Sequence, residues 1–165
     1  MNKNIKRILA LVLALTAAVA LAACGAESQK DAPDLEGFYE DYMASLSEAP
    51  MMMDVTDDLV ETFYPGLGSY ELKQSVLKTA AISAVAYELA LVECASSDDV
   101  EAVQAIFQAR VDGQVNGGAM YPATVEAWQD AEIIVNGNVV ALIVAGVVGI
   151  RKAADFFKIC GLAYE

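Results

Sequence analysis

Asn136-Gly137 constrains the fold of this chain more than any other pair of residues. It separates Glu132-Ile133-Ile134-Val135 from Asn138-Val139-Val140-Ala141-Leu142-Ile143-Val144. Both flanks are apolar and rich in β-branched residues, which suit a pleated, half-buried backbone. Asn and Gly tolerate the positive φ that a two-residue turn requires. The segment therefore predicts a tight antiparallel hairpin. The uncharged run Val139–Ile150 is 12 residues long. A bilayer-spanning helix needs about 20, and Asn136-Gly137-Asn138 blocks extension backwards. A central strand covered on both faces is expected instead.

A second strand is expected over Val85–Cys94 (VAYELALVEC). Tyr87, Leu89 and Leu91 would share one face, and Ala86, Glu88, Ala90 and Val92 the other. Its alanines keep a helix open as an alternative. As a strand it puts Glu88 and Glu93 on opposite faces, where they cannot form an acid–base pair. From Tyr70, Leu72, Gln74, Val76 and Lys78 alternate with Glu71, Lys73, Ser75 and Leu77. Residues 70–113 and 131–163 then share one order: strand, strand, helix. Ala90-Leu91-Val92 aligns with Ala141-Leu142-Ile143. The expected class is α+β, with two ββα-like units forming a four-stranded antiparallel sheet, helices on one face, and N-terminal helices before it.

The helices have legible ends. Asp34 is an N-cap for a helix with Leu35, Phe38, Tyr39, Tyr42, Met43 and Leu46 on one face, ending near Ala49-Pro50. Met51-Met52-Met53 invites a soft-metal reading, but adjacent thioethers diverge; flexible core filler is expected. Asp54, Asp57, Asp58 and Glu61 lack the calcium-loop spacing and fit the first turn of a short helix stopped by Tyr64-Pro65-Gly66. Ser97 or Asp98 would cap a helix carrying Val100, Val103, Ile106 or Phe107, and Val111, ended by Asp112-Gly113. Gln114–Tyr121 is expected as a flexible loop, with Pro122 at the first position of a helix that holds Trp128, the only tryptophan. A last helix is expected to place Ile150, Ala154 and Phe157 on the core.

The first residues form a secretory leader: Lys3, Lys6 and Arg7, then the uncharged stretch Ile8–Ala23 of 16 residues, short for a span. Leu21-Ala22-Ala23-Cys24 closes it and resembles the lipobox of bacterial lipoproteins. That resemblance implies cleavage between Ala23 and Cys24 and a diacylglyceryl group on the Cys24 thiol. The expected layout is a signal peptide over 1–23, a polar tether over 24–33 with a reach of roughly 30 Å, and one α+β domain over 34–165. The expected location is the extracytoplasmic face of the cell membrane. Retained signal anchoring and ordinary cleavage beside an incidental cysteine are the alternatives.

The chain has a formal charge of −13 in 165 residues; loss of Lys3, Lys6 and Arg7 makes the 142-residue mature part −16. Such a domain repels nucleic acid and anionic head groups. The chain has no histidine. This removes the usual general base near neutral pH, the usual zinc ligand and every Ser-His or Cys-His nucleophile pair. With Cys24 lipidated, Cys94 and Cys160 are expected as separate packed thiols, with a disulfide between them as the alternative.

Several segments resemble one family: Ser83–Glu93 (SAVAYELALVE), Ile106-Phe107-Gln108-Ala109-Arg110, Tyr121-Pro122 followed by Trp128, Asn136-Gly137-Asn138, and Tyr64-Pro65-Gly66. Together they resemble domain-of-unknown-function family 4358, small predicted lipoproteins of Gram-positive bacteria, over residues 35–165. Gly146-Val147-Val148-Gly149-Ile150 replaces the polar, acidic start of that family's last helix. The resemblance implies no activity.

The expected function is a binding or interaction module of the cell envelope. Its alternatives are a small-ligand receptor accessory to transport and a histidine-free enzyme. Candidate interaction residues are Arg110, Gln114, Asn116, Tyr121 and Trp128, around Gly117-Gly118. No catalytic set, metal or cofactor is expected. The expected partners are the membrane, through Cys24, and an unidentified envelope protein or ligand.

Overall fold

The computed structural model describes residues 34–145. The chain divides into two units, Met1–Ala32 and Pro33–Glu165, and the described residues belong to the second. The expected leader and tether, Cys24, the helix expected around Ile150–Phe157 and Cys160 lie outside the described residues.

The Asn136-Gly137 signal marks the hairpin between β4 (Glu132–Asn136) and β5 (Val139–Val144). Asn136 pairs with Val139, so the two turn residues are Gly137 and Asn138. Gly137 takes φ 56° while Asn138 stays at negative φ. Glycine at the first central position is the pattern of a type II′ turn, whose twist matches the flanking strands. The second hairpin joins β2 (Leu72–Ala80) to β3 (Glu88–Cys94), with a register shift between Leu72 and Gln74. Glu88–Cys94 is therefore a strand and not a helix, while Val85 closes a turn before it through its N–H bond to the Ile82 carbonyl. The second strands of the two hairpins meet antiparallel, with Leu89 opposite Ile143 and Leu91 opposite Ala141.

The class is α+β and the sheet is antiparallel, with strand order β1-β2-β3-β5-β4. Among the described residues it has five strands rather than four. The extra one, β1 (Met52–Asp54), pairs with the end of β2 through Met52–Ala80, Met53–Thr79 and Asp54–Lys78. Backbone pairing with a long neighbour organises this edge, since three methionines carry no alternation. Met51 and Met53 are exposed, which corrects their assignment as core filler.

Helices cover both faces of the sheet, not one, because β3 and β5 are buried along their whole length. On one face Ala90, Val92, Val140 and Leu142 pack with Val103, Phe107 and Val111 of α3 (Val100–Gly113) and Trp128 of α4 (Pro122–Gln129). Tyr64 and Leu67, which follow α2 (Asp57–Phe63), join that cluster. On the other face Leu89, Leu91, Ala141 and Ile143 meet Leu35, Phe38 and Tyr42 of α1 (Leu35–Ser45). Fully burying each Val, Leu, Ile or Phe side chain among these stabilises by about 1.5–3 kcal/mol. This explains why β3 and β5 read as apolar runs rather than alternating ones.

The helix ends differ in detail from expectation. Asp34 caps α1 by accepting from the Gly37 N–H at 2.9 Å. The helix stops at Ser45, before Ala49-Pro50, and Leu46 is extended. Ser96, not Ser97 or Asp98, makes the side-chain cap, on a 3-10 turn over Ser97–Asp99 ahead of α3. After α3 the chain makes a kinked π turn over Gln114–Gly118, with Asn116 and Gly117 outside helical φ/ψ, within the segment expected as a flexible loop. Gly117 sits there at φ 133°. Pro122 occupies the first turn of α4, where its missing N–H costs no helical bond.

Candidate functional site

Glu88 is the first residue of β3, on the face that carries Ala90 and Val92, and it is fully buried. A carboxylate taken out of water must be compensated by charge and hydrogen bonds. Arg110, in the last turn of α3, supplies both. Its Nε donates to Glu88 Oε1 at 3.1 Å and its Nη2 to Oε2 at 2.8 Å. The Tyr64 hydroxyl donates to Oε1 at 2.8 Å, and Thr79 Oγ1 to Oε2 at 3.4 Å. Each carboxylate oxygen therefore accepts two bonds. The guanidinium lies 4.3 Å from the Phe63 ring centroid and 5.1 Å from that of Trp128, a cation–π environment. These contacts hold the ion pair between α3, β3 and the end of α2.

Burial pushes the Tyr64 hydroxyl well above its ordinary pKa; the Glu88 charge and the bond donated to it add to this, and Arg110 opposes it. On the α1 face, Tyr42 and Tyr87 share a hydroxyl–hydroxyl bond of 2.5 Å. Burial raises both, and the shared bond raises Tyr42 further. A group whose folded pKa is raised contributes stability that is present below the unfolded pKa, here near 10.0, and lost above it. Each such tyrosine is expected to steepen the loss by about 1.4 kcal/mol per pH unit. Urea denaturation between pH 8 and pH 11 checks this. Tyr64→Phe and Tyr42→Phe should each flatten the alkaline fall, and an unchanged slope would contradict the assignment.

Above the ion pair opens a cleft of 420 Å³. Phe63, Glu88, Arg110 and Trp128 line it, with Thr62, Thr79, Gln114 and Thr124 supplying polar groups. Met53 of β1, Ile82 and Val85 of the β2–β3 connection, and Met120 and Tyr121 before α4 also line it. The exposed large hydrophobics among the described residues are these five and Met51. Exposed apolar side chains from three separate segments thus converge on one opening, which single scattered ones would not do.

Four of the candidate interaction residues, Arg110, Gln114, Tyr121 and Trp128, line this cleft, whereas Asn116 is exposed on the π turn and does not. Trp128 is 5% accessible and belongs to the core beneath it. Glu88, Met53, Ile82, Val85 and Met120 were not among the sequence candidates. An acidic residue inside an otherwise apolar strand was the available signal for Glu88.

Glu93 points to the opposite face, accepting from Lys73 Nζ at 3.3 Å and Gln74 Nε2 at 2.9 Å. The two carboxylates are thus divided by the sheet, as strand parity requires. The acidic residues near α2 also have separate partners: Asp54 binds Lys78, Asp58 accepts from Thr56, and Glu61 accepts from the Gly66 N–H. Among the described residues no three carboxylates or cysteines gather as a metal site. Cys94 ends β3 in the core; burial pushes its thiol pKa up, helped by Asp99 and Glu93.

No curated protein matches the chain, and no solved structure does. Residues 44–145 match the family model described as a domain of unknown function (DUF4358). The match runs from the end of α1 to the end of β5, which includes both hairpins, the ion pair and every described residue of the cleft. It covers more than half of the sequence, and the chain belongs to the DUF4358 family.

Proposed function

We propose that this chain is a lipid-anchored interaction module of the cell envelope, fastened through Cys24 at the extracytoplasmic face, with the cleft above Glu88 and Arg110 as its contact surface. The observation that carries the contact surface is the convergence of Met53, Ile82, Val85, Met120 and Tyr121 on one opening. The leader residues from Lys3 to Cys24 support the anchor. Catalysis is a weaker reading. With no histidine in the chain, carboxylates would have to act. Glu88 is tied by four donors, and Glu93 is engaged by Lys73 and Gln74.

Ile82 and Met120 are 61% and 82% exposed, so Ile82→Asp with Met120→Asp leaves the core untouched. The pair is expected to change stability by no more than about 0.5 kcal/mol per site and to abolish partner recovery after crosslinking in intact cells. Recovery equal to that of the parent chain would remove the cleft from the function. A small-ligand receptor is the second reading, because 420 Å³ lies within the range of small-molecule pockets. A thermal-shift screen separates the two. A ligand at a hundred times its Kd stabilises by about 2.7 kcal/mol, enough to move the transition by degrees.

A further inference from the structure

The chemistry of the cleft narrows what it accepts. Among the described residues lining it, Glu88 and Arg110 alone are charged, and they neutralise each other. The rest of the mature part is strongly acidic. A cation therefore finds no unpaired carboxylate in the cleft, and an anion meets a repelling domain around it. Arg110 nonetheless has donors to spare. A guanidinium carries five N–H groups, and Glu88 takes one from Nε and one from Nη2. The other three have no partner among the described residues, and none of its nitrogens is a buried orphan. Such donors suit an uncharged acceptor, a carbonyl oxygen.

The rim sets the size of the occupant. Met120, Ile82 and Tyr121 stand 82%, 61% and 53% exposed around the opening. A molecule lying wholly within 420 Å³ would leave much of their apolar surface in water. A chain segment crossing the opening would cover it. Methionine adapts to varied apolar partners, and Tyr, Trp and Arg are the residue types that most often anchor protein contacts.

We infer that the cleft takes an uncharged, apolar peptide segment of another envelope protein, with a large side chain seated over Phe63 and Trp128 and a backbone carbonyl accepting from Arg110. This rests on the reading of the cleft as the contact surface and names the partner class for it.

The test places a photoreactive benzoylphenylalanine at position 82 or 120 of the full chain in intact cells, with position 40 as control. Glu40 is exposed on α1, which packs on the other face of the sheet. The expected result is a protein adduct from positions 82 and 120 but not 40, with the crosslinked peptide mapping to an uncharged stretch that holds large apolar side chains. A synthetic peptide of that stretch should bind the full chain, and Met120→Asp should weaken it about ten-fold or more. Adducts of lipid or small-molecule mass at 82 and 120 would overturn the peptide partner while keeping the cleft as a binding site. A protein adduct mapping to a charged stretch would overturn it equally. No adduct above that at position 40 would overturn both the inference and the function it rests on.

Discussion

Replacing Arg110 by leucine is expected to destabilise the domain by about 3–5 kcal/mol. The substitution removes two of the four hydrogen bonds that Glu88 accepts and strips the charge that justifies its burial. The Glu88 side chain is 1% accessible, so its carboxylate has little solvent contact to offset the loss of the guanidinium. Glu88→Leu with Arg110→Leu should cost much less than the two single changes summed, since replacing a buried ion pair by apolar residues is often nearly neutral. What remains is the Tyr64 hydroxyl, left without its acceptor at about 1–3 kcal/mol. Adding Tyr64→Phe should recover most of that. Urea denaturation of the single, double and triple variants measures the coupling. Additive losses would show that the ion pair does not act as one unit.

Cys24→Ala is expected to have the largest effect on location. Two acyl chains hold a protein at a membrane stably, whereas one gives only marginal, reversible binding. With the thiol gone, no lipid attaches. The proposed anchor then predicts loss of the mature chain from the membrane fraction to the soluble fraction. Among the described residues no helix is long and apolar enough to cross a membrane. Persistence of Cys24→Ala in the membrane fraction, with the leader removed, would refute lipid anchoring through that residue.

Local patterns and long-range partners explain which features could be read before the fold was known. The β4–β5 hairpin was legible because its information lies within 13 residues: a turn pair and two apolar flanks. The odd spacing of Glu88 and Glu93 foretold that they face opposite ways, since strand parity needs no knowledge of neighbours. The β1 edge was not legible, because Met52–Asp54 becomes a strand only by pairing with Lys78–Ala80. Nor was the placement of α1. The spacing of Leu35, Phe38 and Tyr42 says that one face is buried, not which side of the sheet buries it. The cleft was legible only in fragments. Arg110 and Tyr121 stood out as residue types, but Glu88 and Arg110 are separated by 22 residues and Met53 and Met120 lie on distant segments. Their meeting is a property of strand order, which no local pattern contains.

A tethered module outside the cytoplasm requires that Cys24 be the first residue of the mature chain and carry lipid. The most direct measurement is the intact mass and amino-terminal sequence of the protein extracted from membranes. The predicted result is a chain beginning at Cys24, heavier than residues 24–165 by the mass of an acylated glyceryl group, with that added mass on the first residue. A membrane-bound chain whose Cys24 thiol is unmodified, or one still carrying residues 1–23, would contradict it.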